Sequence, residues 1–318
     1  MDRLLVDVFI ESHKVAPREI ILDLDATDDA IHGQQQGRFF HGYYRHYCYL
    51  PLYIFSGDHL LCARLRRSNI DASAGSEEEL APIVERIRSQ WPKARILLRA
   101  DSGFARERLM KWCEDREVDY LFGLARNDRL VRRIASKMSR VRKKSLRRQM
   151  AVRHFQELTY RTLDTWTRKR RVVAKAEHLP KGANPRFVVT SLLKEEVKAK
   201  RLYEKIYCAR GDMENRIKEQ QLDLFADRTS CHVMQANQLR LYLSSYAYVL
   251  FNQFRRLALK GTKWARARAG TIRRTLLKIG ALVEVTHRRF WIHFSSAYPY
   301  RDLFQLAYER LEEVPMRC

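Results

Sequence analysis

Three acidic residues stand where carboxylates can converge on divalent cations. Asp25 ends the apolar run ILDLD, Asp101 ends ILLRAD, and Glu214 lies in the helix-forming stretch IYCARGDMENRIKEQQ. Hard cations such as Mg2+ take oxygen ligands and keep several waters. A pair of them on a carboxylate cluster activates an attacking water or 3′-hydroxyl and steadies the leaving oxygen of an in-line phosphoryl displacement. Arg210, one helical turn before Glu214, is placed to neutralise a nearby phosphate. A lone Asp at a strand end is usually a turn residue; only the three together point to a metal site.

The elements that must position these residues are legible from periodicity. Residues 3–13 read as an amphipathic helix ended near Pro17. Residues 20–25 read as a strand whose period of two puts Asp23 and Asp25 on one face. Residues 31–49 are rich in Gly, Gln and aromatics and read as a long hairpin or loop. Strands at 51–55 and 59–65 follow, turning at Ser56-Gly57-Asp58. A helix opens at Ser76, with a capping box to Glu79 and an apolar stripe of Leu80, Ile83, Val84 and Ile87. A doubly buried strand at 94–100, a helix at 104–116 and a strand at 120–124 complete the series. Three antiparallel strands followed by alternating helices and strands predict an α/β fold. The expected architecture is an RNase H-like mixed sheet flanked by helices, with a β-rich insertion before the last catalytic helix.

Residues 126–153 carry twelve Lys and Arg against the single acid Asp128. They read as a helix followed by a basic connector, RVRKKSLRRQ, and Arg142, Lys143, Lys144, Arg147 and Arg148 are expected to meet phosphate. Three β-branched runs at 154–162, 170–176 and 187–191 form the insertion. Trp166 sits at its turn, as local packing or as a base-stacking residue. The helical period returns at 195–224, with Ile206, Met213, Ile217 and Leu224 as the buried stripe beside Tyr207, Arg210, Glu214, Lys218 and Gln221. A helix at 233–257, a basic helix from 266, a strand pair and a helix at 302–312 end the chain. The expected divisions are residues 1–125 as the first part of the catalytic core, 126–192 as connector and insertion, 193–260 as the helical remainder, and 261–318 as a small basic region.

The bulk numbers point to a polyanionic partner. The 318 residues are 46% hydrophobic, enough for a core, yet 61 Lys and Arg face 37 Asp and Glu, a formal charge of +24. A basic ribosome-associated or membrane-surface protein would share that balance. No apolar stretch is long enough to span a bilayer. Cys48, Cys62, Cys113, Cys208, Cys231 and Cys318 form no CxxC pair and read as reduced thiols of a cytosolic protein. His32, His41 and His46 lack the Cys partners of a zinc site and read as surface or DNA contacts.

At these residues the chain resembles a known family. DLDATDD, LLRADSGF, and Tyr207 with Arg210 and Glu214 resemble the signatures of bacterial insertion-sequence transposases with an Asp-Asp-Glu active site. The likeness is to the group named after insertion sequence 1380, allied to the group numbered 4. It runs from about residue 18 to about residue 310 and includes HGQQQGRFFHGYY and SSAYPYRDLF. It implies Asp25, Asp101 and Glu214 as catalytic metal ligands, with Asp23 as a structural neighbour. It implies Tyr207 and Arg210 at the DNA phosphate near the cut. It also implies two Mg2+ ions, with Mn2+ able to substitute, and cut-and-paste strand transfer. The expected partners are double-stranded DNA, as terminal inverted repeats and target, and a second copy of the chain; the expected setting is the bacterial cytoplasm and nucleoid. Two departures stand out. Gln221 occupies the place of an expected Lys, for which Lys218 could substitute, and little sequence precedes the Asp25 strand, so a truncated amino terminus is expected. A stand-alone RNase H-like nuclease and a non-catalytic DNA-binding remnant are the competing readings.

Overall fold

The computed structural model describes residues 2–315. Helix α1 (Asp2–Glu11) leads into β1 (Glu19–Ala26). A small sheet of β2 (Asp29–Ala30), β3 (Phe39–His41) and β4 (His46–Tyr49) follows, and then the hairpin β5 (Leu52–Ser56) and β6 (His59–Arg64). Helix α2 (Ser76–Gln90), β7 (Arg95–Ala100), α3 (Glu107–Asp115) and β8 (Asp119–Leu124) complete the first half. Strand β1 pairs antiparallel with β5 and parallel with β7, β5 pairs antiparallel with β6, and β7 runs parallel to β8. The order β6-β5-β1-β7-β8 is that of an RNase H-like core.

Alternation along these strands decides what faces what. Leu22, Leu24, Ile96, Leu98 and Ala100 point into the larger apolar layer, beneath α1, α2 and α3. Leu97 and Leu121 point the other way, toward Leu202 and Tyr203. With a period of two, Asp23, Asp25, Arg99 and Asp101 must share that second side. It is also the side that receives the late helices. Met213 and Ile217 pack with Tyr53, Phe55, Leu241 and Tyr248 in a separate apolar cluster.

Beyond β8 lie α4 (Asp128–Arg133), α5 (Ala135–Arg148), and strands β9 (Val152–Tyr160), β10 (Arg170–Leu179), β11 (Gly182–Ala183) and β12 (Arg186–Thr190). The β-rich segment does not stand apart. Strand β12 pairs antiparallel with β8, β10 with β12, and β9 with β10, so one nine-stranded sheet runs through both parts. The stretch expected to be a connector is helical: α5 covers all of RVRKKSLRR, anchored by buried Val141 and Ser145. Lys, Arg and Leu are good helix formers, and two buried positions suffice to seat a helix on a sheet. The capping box is also absent. Gly75, in the left-handed region at φ 76°, precedes α2 without a side-chain cap, because Glu79 is drawn off to Arg64 (2.7 Å).

The late helical region is irregular where a continuous helix was expected. A short α6 (Ala199–Arg201) passes into a π-helical turn at Leu202–Tyr207 and a tighter turn at Cys208–Arg210 before α7 (Gly211–Leu224) begins. Helix α8 (Met234–Leu257) follows. A last cluster joins Ala258, Leu259, Ile272, Leu276 and Ala307 across α9 (Ala269–Ile272) and α10 (Arg301–Glu312), which flank the hairpin β13 (Ala281–Val285) and β14 (Phe290–Phe294). Among the described residues, no helix is long and apolar enough to cross a membrane.

Candidate active site

The parallel register of β1 and β7 brings the first two acids together. Leu24 lies opposite Ala100, so Asp25 and Asp101 leave the carboxyl ends of adjacent strands at the same level. The strands themselves are about 4.8 Å apart. Asp101 also starts a short turn, and its Oδ1 accepts the Gly103 amide at 2.8 Å. Glu214 projects from the first turn of α7. Arg210 links it to Asp25: its guanidinium donates to Glu214 Oε1 at 3.0 Å and stands 3.7 Å from Asp25 Oδ1.

The electrostatics of Asp25 reflect a crowded anionic site. Its carboxyl is pushed up to about 6: burial raises it most, the Arg210 cation pulls it down, and Asp101 and Glu214 add to the rise. One Arg210 nitrogen is itself buried without a hydrogen bond. Asp101 is also among the groups acting on Tyr207, whose hydroxyl burial holds above the usual phenol range. Asp25, Asp101, Tyr207, Arg210 and Glu214 thus form one electrostatically connected group.

The donor set suits a hard divalent cation, since all three candidate ligands are carboxylates and the half-buried Asp25 carries a raised pKa beside two further acids. In this arrangement, however, no three acidic, His or Cys side chains among the described residues are grouped to hold one ion. The Arg210 guanidinium bridges Asp25 and Glu214 instead.

Two positioning residues escaped the sequence reading. Arg99, buried on β7, grips Asp23 with both arms (Nε to Oδ1 2.5 Å, Nη2 to Oδ2 2.7 Å) and also donates to the Ile206 carbonyl. Asp23, on the same face as Asp25, is therefore tied to an arginine that anchors the π-turn carrying Tyr207. Gly123, on β8, is the second. A Cβ there would come within 2.6 Å of the Tyr207 hydroxyl and 2.8 Å of the Ser102 amide, so only glycine admits the phenol beside Asp101. The spacing of Asp23 and Arg99 carries no signal of pairing, which exists only through strand register.

The aromatic hairpin joins the same region. His46 Nε2 lies 2.8 Å from Asp28 Oδ2, and the Tyr44 hydroxyl donates to the Ala26 carbonyl at 3.3 Å. Phe40 and Tyr43 are exposed beside it. Gln221 donates to the Asp28 carbonyl at 3.2 Å, so it braces the loop after β1 where a Lys was expected to reach phosphate.

The other expected DNA contacts lie further out. Lys218 is exposed, without an ion-pair partner among the described residues, and lines a cavity of about 1400 Å³ together with Lys14, Arg216, Lys260, Arg266 and Arg268. Arg142, Lys143, Lys144, Arg147 and Arg148 form the solvent face of α5. Trp166 departs from the stacking expectation. It is only 4% exposed, edge-on to Tyr160 at 5.7 Å and beneath the Arg170 guanidinium at 5.5 Å, so no face is open to a base.

Comparison with known proteins gives the family. No curated protein matches the chain. A cryo-EM structure of a piggyBac transposase synaptic complex with hairpin DNA is similar at 13% identity and a TM-score of 0.46. The match covers 99% of this chain and 59% of that one, so this chain spans less than two thirds of that protein's length. The sequence profile described as Transposase DDE domain group 1 matches residues 1–316. The chain belongs to that family of transposase DDE domains.

Proposed function

We propose that this chain cleaves DNA and joins the freed ends to a target, as in the cut-and-paste movement of an insertion sequence, with Asp25, Asp101 and Glu214 as the catalytic carboxylates. The observation that carries the reading is the in-register exit of Asp25 and Asp101 from adjacent strands, with Glu214 tied to Asp25 through Arg210. The three carboxylates would hold two Mg2+ ions, or Mn2+ in their place. Bound there, such ions supply Lewis-acid activation of the attacking oxygen and charge stabilisation at the leaving oxygen.

The chain's own residues do the rest. Arg210, which bridges Asp25 and Glu214, turns its donors to the scissile phosphate when DNA is bound. Tyr207, seated on Gly123, orients the same phosphate through its hydroxyl. Arg99 keeps the π-turn in place so that both side chains point at one spot. Lys218 and the basic cavity beside α7 guide the strand leaving the site, and the cations of α5 hold a more distant stretch of duplex. Exposed Phe40 and Tyr43 are available to stack on an unpaired base near the cut. The work requires two DNA ends, so a homodimer acting in the bacterial nucleoid is the expected form.

The test is strand transfer of pre-cut terminal-repeat DNA in Mg2+. Asp101→Ala and Glu214→Ala should each abolish it. Cleavage without joining would convert the reading to a nuclease, and binding without cleavage in Mg2+ or Mn2+ to a non-catalytic DNA-binding protein.

A further inference from the structure

Among the described residues, the hairpin β13–β14 is a sheet of two strands that pairs with no other strand. Its register puts Ala281 opposite Phe294, Val283 opposite Ile292, and Val285 opposite Phe290. These six residues share one face, and that face is entirely apolar. It is open along most of its length: Val283 is 56% exposed, Val285 66%, Phe290 76% and Ile292 57%, while Phe294, 48% exposed, meets the Phe304 ring of α10 at 5.3 Å. The opposite face is mixed, carrying Leu282, Trp291 and the pair Glu284–His293 at 3.7 Å. Cations are confined to the tip, at Arg288 and Arg289, and to flanking segments.

An isolated two-stranded hairpin is marginal in water, and a soluble surface seldom keeps a contiguous apolar patch of this kind uncovered. Duplex DNA is a poor cover for it, because the face offers no donor to phosphate or base edge. A second copy fits. Two identical flat faces can stack about a two-fold axis, as sheets do in a sandwich, with each apolar row against its symmetry mate. The exposed side chains offer roughly 500 Å² per copy, judged from the area that aromatic and aliphatic groups bury. A two-fold pair that covered all of it would bury about 1,000 Å², which only just reaches the size of a specific interface, with the charge-depleted core such interfaces have.

We infer that the apolar face of β13–β14 is a self-association surface that joins two copies of this chain without DNA. The inference rests on the hairpin alone and stands whether or not the carboxylates work as proposed. Sedimentation equilibrium of the full chain, free of DNA and in high salt to suppress charge-driven association, decides it. The wild-type chain should show twice the chain mass across the micromolar range. The variant V283E/I292E should show half that mass with an unchanged circular-dichroism spectrum, and the milder V283T/I292T should weaken the dimer at least tenfold. L282E, on the opposite face, and D101N, in the active site, should keep the double mass. A wild-type chain of single mass, a dimer that survives both Val283/Ile292 variants, a dimer abolished in L282E, or one formed only when DNA is added would each overturn the inference.

Discussion

Replacing Arg99 by Met should cost both stability and catalysis, and the two losses should separate. Arg99 and Asp23 are buried, with both side chains about 8% exposed, and share two short charge-assisted bonds. Removing the guanidinium leaves the Asp23 carboxylate and the Ile206 carbonyl without that partner inside the fold. Breaking one half of a buried pair costs about 3–5 kcal/mol. Solvent screening gives little relief at that exposure, so the full range applies. Urea denaturation followed by circular dichroism should show a loss in that range, with an unchanged slope. Asp23→Leu added to Arg99→Met removes the orphaned charge and should restore most of the stability, since an apolar pair of similar volume replaces the ionic one. Strand transfer should stay impaired in the double variant, because the Ile206 anchor holding Tyr207 and Arg210 is still missing. A loss below about 1 kcal/mol in Arg99→Met, or full activity in the double variant, would refute the argument.

Other consequences follow from the same geometry. Gly123→Ala should lower strand transfer at least tenfold, because its Cβ would meet the Tyr207 hydroxyl at 2.6 Å and the Ser102 amide beside Asp101 at 2.8 Å; adding Tyr207→Phe relieves only the first clash and should not restore activity. Asp25 has its carboxyl pushed from 3.8 up to about 6, so metal-free stability should be full below pH 4 and fall as pH rises through 6. Asp25→Asn should therefore stabilise the metal-free chain by at most about 3 kcal/mol at pH 8 and by nothing near pH 3.5, measured by thermal melts with chelator, while abolishing activity. Charge reversal of Arg142, Lys143 and Arg147 to Glu should leave the melting temperature unchanged. It should reduce the slope of log affinity for DNA against log salt by about 0.9 for each phosphate no longer neutralised.

How much of this was readable beforehand depends on the range of each interaction. The strand ends at Asp25 and Asp101 and the helical face of Glu214 follow from periods of two and 3.6, which are local. The pairing of Arg99 with Asp23 depends on parallel register between strands separated by a hairpin and a helix, and nothing in either segment announces it. Gly123 reads as an ordinary strand glycine until Tyr207 is placed against it. The β-rich segment was legible as strands, but its union with the core rests on β12 finding β8, a long-range choice. Helix α5 was obscured because its two buried positions are too few to make a stripe. Trp166 could be read either way, and burial under Arg170 settles it as packing. Irregularity at 202–210 was invisible because the helical stripe continues through it, although π-turns frequently mark functional sites.

Asp25, Asp101 and Glu214 are proposed to act on one group of divalent ions. A crystal structure of the chain with pre-cut terminal-repeat DNA and Mn2+, with anomalous scattering recorded at the manganese edge, tests it most directly. Manganese should be held jointly by these three carboxylates, with Arg210 turned from Asp25 to phosphate. Manganese bound elsewhere, or Arg210 still bridging Asp25 and Glu214 with DNA in place, would contradict it.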